Sequence, residues 1–203
     1  MNKLNQFKGY APYVAAICCL IYEAFSLAWG GAFVSSVIFV AILVAGACCL
    51  IEKQKADFVG LIALAVASVF SIIDLVLSVI DVIGYIAQRY PAGVVVQSIL
   101  WLIPDVVALL AVVALTAIVF LCMKKKPNAL TKFWYGPAAL VVVGALITFI
   151  FGILFYFIFN DFVYVGDGVL GYLLTKVGRF LVNLSLAGGF AGIGMHALSK
   201  KQQ

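Results

Sequence analysis

Between Ala67 and Tyr85 the chain sets Ser71, Asp74, Ser78, Asp81 and Tyr85 three or four residues apart in an otherwise apolar run. Such spacing keeps all five side chains on one face of a helix. Aspartates in this setting can bind a cation, carry a proton or hold a basic partner. A charge at the bilayer centre costs about 2.5–3.5 kcal/mol on insertion scales, so two on one face call for a partner, water or a ligand. A second stripe, Tyr172, Lys176, Arg179 and Asn183, has the same spacing near the other end of the chain. Two further carboxylates stand in apolar surroundings, Glu23 beside Tyr22 and Asp105 directly after Pro104. The proline has no amide hydrogen, which releases the Leu100 carbonyl from its helical bond. A kink with a released carbonyl beside a carboxylate suits a cation or a proton. A protonated Asp105 bonded to a neighbouring helix is the alternative, and Glu23 reads as either protonated or interfacial.

The elements that carry these residues are membrane helices. The 203 residues are 66% hydrophobic and only 10% charged, against about 25% charged in a soluble domain, and the mean hydropathy is +1.21. Stretches of about 20 apolar residues span a bilayer. Six are read, at roughly 10–29, 31–52, 58–86, 93–123, 134–160 and 168–198, giving an all-α bundle of six transmembrane helices in a single integral membrane domain over 1–203. The first begins at Tyr10-Ala11-Pro12 and the fifth at Tyr135-Gly136-Pro137, with proline in the first turn where its missing N–H costs nothing. Trp29-Gly30-Gly31 predicts a tight hairpin between the first two. Ser26 and Ala28 have the small-residue spacing of a signal-peptidase site, but Glu23 interrupts the apolar run and no polar mature domain follows, so the segment is expected to be retained.

The net charge of +5 and pI near 9.0 report orientation rather than nucleic-acid binding, because the basic residues sit in short loops. Lys3, Lys8, Lys53, Lys55, Lys124, Lys125, Lys126, Lys132, Lys200 and Lys201 fall on one side, and only Arg89 on the other. The positive-inside rule therefore places both termini in the cytoplasm, in the plasma membrane. The loop before the last helix is acidic, with Asp161 and Asp167, and reads as solvated.

In that orientation Glu23, Asp74, Asp81, Asp105, Lys176, Arg179 and Asn183 all lie in the outer half of the bundle and can surround one outward-opening cavity. Asp74 and Asp81 are expected to pair with Arg179 and Lys176; ion pairs that only fix packing are the alternative. Gly188 and Gly192 suit close helix packing, as do Gly136, Gly144 and Gly152 at eight-residue spacing. The aromatics Phe149, Phe151, Phe155, Phe157 and Phe159 read as facing lipid or neighbouring helices. Cys18, Cys19, Cys48, Cys49 and Cys122 match no zinc or haem spacing and read as packing residues. His196, the only histidine, is expected at the inner interface. The chain has no catalytic set, no H-E-x-x-H and no phosphate loop, so no metal, cofactor or catalytic residue is assigned.

These features point to a small transporter or solute-binding membrane component whose cavity takes a cationic or zwitterionic solute or a coupling ion. The architecture resembles the substrate-binding components of energy-coupling-factor vitamin importers, which are six-helix chains of this size with internal termini. Ala11 and Ala15 supply the small-residue spacing that a docking surface of that family would have, while the tight first hairpin departs from its longer gating loop. ATP-driven transport would need another chain to supply the ATPase. The alternative is a non-catalytic structural or accessory subunit of a larger membrane complex, its charged stripes contacting partner helices.

Overall fold

The computed structural model describes residues 3–28, 33–51, 53–124, 129–158 and 168–201. Among them the chain forms α1 (Lys3–Ala28), α2 (Phe33–Cys48), α3 (Gln54–Ala87), α4 (Ala92–Met123), a short 3-10 turn (Ala129–Phe133), α5 (Gly136–Ile158) and α6 (Gly168–Lys201). The first hairpin, the Asp161 and Asp167 loop, Lys125, Lys126 and Phe159 lie outside the described residues.

Five helices are long and apolar enough to cross a membrane, and α2 is a shorter apolar helix over Val34–Cys48. This is a multi-pass helical membrane protein. The expected second span, 31–52, is cut short at its C-terminus. Cys49, Leu50 and Ile51 make successive turn bonds back to Gly46, Ala47 and Cys48 instead of continuing the helix. The 16 residues of α2 rise only about 24 Å, less than the roughly 30 Å of a hydrocarbon core.

Two helices begin earlier than hydropathy suggests. α1 starts at Lys3 and carries Pro12 inside it rather than at its start. α3 starts at Gln54, which puts Asp57 in its first turn, where the helix dipole favours a carboxylate. Polar residues at a membrane interface extend a helix without leaving a hydropathy signal. Pro137 keeps its expected place at the start of α5.

Each helix packs on its neighbours in sequence, α1 returns to close on α6, and α4 also touches α6 across the interior. The α1–α6 seam is built from small residues. Ala11, Ala15, Cys19 and Glu23 recur every four residues on α1, and all four are buried. A Cβ on Gly192 would lie 2.5 Å from the Ala15 nitrogen, and one on Gly189 would lie 2.6 Å from Cys19 Sγ. The Gly188 and Gly192 packing face expected from sequence is therefore real. The Ala11 and Ala15 spacing is consumed by this internal seam and is no docking surface, which removes one ground for the vitamin-importer resemblance. Gly144 and Gly152 serve different neighbours: Gly144 meets Val107 of α4, and Gly152 meets the Lys176 side chain of α6.

α3 ends in a Schellman turn. Tyr90 N–H bonds the Tyr85 carbonyl and Arg89 N–H bonds the Ile86 carbonyl, with Arg89 at a φ of 56°. The rings of Tyr85 and Tyr90 meet edge-on at 5.1 Å, the apolar clasp that accompanies this cap. Tyr85 therefore belongs to the end of the helix rather than to the polar stripe.

Gly192→Ala is expected to destabilise the bundle by about 1–3 kcal/mol, because the new Cβ meets backbone that cannot rotate away. Gly84→Ala is the control, since nothing lies within 4 Å of its Cβ position; it should leave stability unchanged or raise it by up to about 1 kcal/mol. Thermal unfolding in detergent compares the two, and equal midpoints would contradict the seam.

Candidate functional site: a central polar chamber

All six helices contribute to a chamber of about 300 Å³ inside the bundle, whose polar lining includes Tyr22, Ser35, Ser71, Asp74, Asp105 and Asn183. Asp74 comes from the α3 stripe. Asp105 comes from α4, one residue after Pro104, which also lines the chamber. The two carboxylates are close enough to repel each other, and the Ser78 hydroxyl faces Asp105. Ser71 donates to its own helix, to the Ala67 carbonyl at 2.8 Å. Tyr22 is set by an edge-on contact with Phe39 at 5.3 Å.

A second cavity, about 270 Å³, adjoins the first and is lined by Lys176 and Arg179. Trp101, Ala145, Thr148 and Asn183 line both, so they form the wall or passage between an acidic and a basic compartment. Lys176 is held in an aromatic corner. Its Nζ lies 5.9 Å from the Trp101 ring centroid and 4.9 Å from that of Tyr172. The Tyr172 hydroxyl donates to the Gly152 carbonyl at 2.7 Å. Gly152 has no side chain, and the Lys176 stem occupies the space a Cβ would take, 2.9 Å from Lys176 Cδ. Phe151 and Phe155 pack edge-on with Trp101, at 6.3 Å and 5.8 Å between ring centroids. Phe149 packs on Phe180 at 5.3 Å, while Phe157 is exposed.

The structure thus brings Asp74, Asp105, Asn183, Lys176 and Arg179 around two adjoining cavities. The ion pairs expected between Asp74 or Asp81 and Arg179 or Lys176 are not among those formed by the described residues, because α3 and α6 share no extended interface. Asp81 is exposed and lines neither cavity. Glu23 is only 4% exposed, and neither of its carboxylate oxygens meets a hydrogen-bond partner among the described residues. It sits on the α1 face that packs against α6, one residue from Tyr22 but not on the chamber wall.

Two polar features escaped the sequence reading. Ser68 Oγ and Thr116 Oγ1 share a hydrogen bond at 3.0 Å, and Thr116 also donates to the Leu64 carbonyl at 3.2 Å, which clips α3 to α4. At the end of the bundle that carries most of the lysines, Lys200 Nζ donates to Asp57 Oδ1 at 2.6 Å, and His196 Nε2 lies 3.8 Å from the same oxygen. The available signal was the four-residue spacing of His196 and Lys200 at the end of α6, beside the start of α3. None of the five cysteines is in a disulfide. Cys18 and Cys19 fill the space opened by Gly188, Gly189 and Gly46.

No family model, curated protein or solved structure matches the chain. Its class therefore rests on its own features: a closed, helical, multi-pass membrane bundle with a carboxylate-lined interior chamber.

Glu23→Met is expected to raise stability by about 1–3 kcal/mol, because it replaces buried oxygens that lack hydrogen bonds with an apolar chain of similar size. A lowered unfolding midpoint would instead show that a partner holds the carboxyl in the membrane.

Proposed function

We propose that the protein is a small transporter or solute-binding membrane component, and that its central chamber takes the cationic group of a small solute or a coupling ion. The observation that carries this reading is that Asp74 and Asp105, from different helices, line one cavity inside the bundle. Two intramembrane carboxylates facing a shared space are costly unless that space holds a cation, a proton or water. A cavity of about 300 Å³ is at the small end of ligand sites. The adjoining compartment, with Lys176 and Arg179, extends it and favours a zwitterion, its ammonium on the aspartates and its acidic group toward the cations.

The helix directions support an orientation with both termini in the cytoplasm of a plasma-membrane protein. The ends bearing Lys53, Lys55, Lys124 and Lys200 lie together at one end of the bundle, and Arg89 lies at the other. Asp74 is seventeen residues along α3 from Asp57, about 25 Å from the basic end at 1.5 Å per residue. In that orientation the chamber lies toward the outer side, and an outward opening is part of the proposal. The compartmented charges favour this reading over that of an accessory subunit, whose charged stripes would face partner helices.

Native mass spectrometry of gently purified protein tests the reading, with Asp74→Asn and Asp105→Asn beside the wild type. A panel of amino acids and small amines should give a bound adduct that at least one variant loses, with a drop in affinity of about tenfold or more. A stoichiometric protein partner and no adduct, unaffected by either variant, would replace this reading with that of an accessory subunit.

A further inference from the structure

A third cavity, about 410 Å³, lies at the basic end between the C-terminal parts of α2, α4 and α6 and the start of α3. It shares no lining residue with the central chamber. The Ser68–Thr116 clip and the fully buried Ala67 and Leu115 stand between them along α3 and α4. Its lining is divided in two. The polar part is Gln54, Asp57, His196 and Lys200. The rest is apolar or thiol, including Leu64, Val119, Met123 and Ile193 together with Cys48, Cys49 and Cys122.

We propose that this cavity is a binding site for an anionic phospholipid, with its phosphate at Lys200 and His196 and the start of an acyl chain along Leu64, Val119 and Ile193. Three observations carry it. First, the polar groups sit at the very ends of α3 and α6, the depth of a lipid headgroup, while the apolar lining runs inward from them. Second, the field at the mouth is positive. Lys53 directly precedes the lining residue Gln54, Lys124 directly follows the lining residue Met123, and both lysines are exposed, as is Lys55. Basic pockets between membrane helices are where anionic headgroups are recognised. Third, Lys200 carries three N–H donors, and its contact with Asp57 at 2.6 Å uses one. A phosphate can therefore join the cluster without dismantling it. Among the described residues the Asp57 carboxylate is the one anion on the cavity wall, so it competes with the phosphate for Lys200 and His196 and holds the site in shape when no lipid is bound.

Because Asp57 competes with the phosphate, removing its charge and removing that of Lys200 should act in opposite directions. Protein in a neutral detergent is offered equal amounts of phosphatidylglycerol and phosphatidylcholine, and retained lipid is read by native mass spectrometry. Phosphatidylglycerol should be retained in preference, and Lys200→Gln should lower that preference about fivefold, with Lys200→Arg restoring it. Asp57→Asn should raise phosphatidylglycerol retention, whereas a purely structural Asp57–Lys200 clip predicts that both variants lower it. The wild type supplies an arm that no misfolded variant can spoil: phosphatidylglycerol, but not phosphatidylcholine, should slow alkylation of Cys48, Cys49 and Cys122 by N-ethylmaleimide. Equal retention of the two lipids would overturn the proposal. So would displacement of phosphatidylglycerol by millimolar inorganic phosphate, which would make the occupant a soluble anion, or loss of retention in Asp57→Asn.

Discussion

Gly192 lets the backbone of α6 settle against Ala15 of α1, and the ring of helices closes there. Lipid tails are as apolar as leucine, so membrane helices gain little from the hydrophobic effect and depend on close backbone approach. At this seam a single methyl group on α6 would collide with the N and Cα of Ala15. Closure of the first helix on the last completes the ring of helices around the chamber.

Given that interior, the cost of charge in hydrocarbon sorts the polar residues by depth. Asp74 and Asp105 face a chamber rather than lipid, and Lys176 lies across Gly152 between the rings of Trp101 and Tyr172. Asp57, His196 and Lys200 gather at the basic end. Between these levels α3 and α4 are joined by neutral groups, Ser68 and Thr116, which satisfy each other and the Leu64 carbonyl. Glu23 is the exception. It is buried in the seam itself without a hydrogen bond among the described residues, beside a residue, Tyr22, that does reach the chamber.

Much of this was legible in the residue pattern because helical spacing and hydropathy are local signals. The long apolar helices, the Gly188 and Gly192 packing face and the gathering of Asp74, Asp105 and Asn183 around a cavity follow from them. What was not legible depends on which helices meet. The α3 stripe and the α6 stripe have matching spacing, yet α3 and α6 share no extended interface, so Lys176 and Arg179 line their own compartment instead of pairing with Asp74 and Asp81. The stripe on α3 also outruns the chamber: Asp81 is exposed and Tyr85 is taken by the helix cap. Ala11 and Ala15 show a packing face but not its partner, which is α6 of the same chain. Asp57 and Lys200 are 143 residues apart, and their contact required knowing that α3 begins at Gln54, in a stretch too polar to read as membrane helix.

Thiol chemistry at the wall between the two compartments tests whether the carboxylate chamber is reached from outside. Thr148 lines both cavities, so Thr148→Cys places a reporter where the acidic and basic sides meet, and peptide mass identifies the labelled residue. Applied to the outside of intact cells, a membrane-impermeant cationic methanethiosulfonate should modify this cysteine faster than its anionic counterpart. The preference should shrink when Asp74→Asn or Asp105→Asn is added. Modification only from the cytoplasmic side, or a charge preference that neither aspartate influences, would contradict an outward-opening chamber whose carboxylates receive a cationic group.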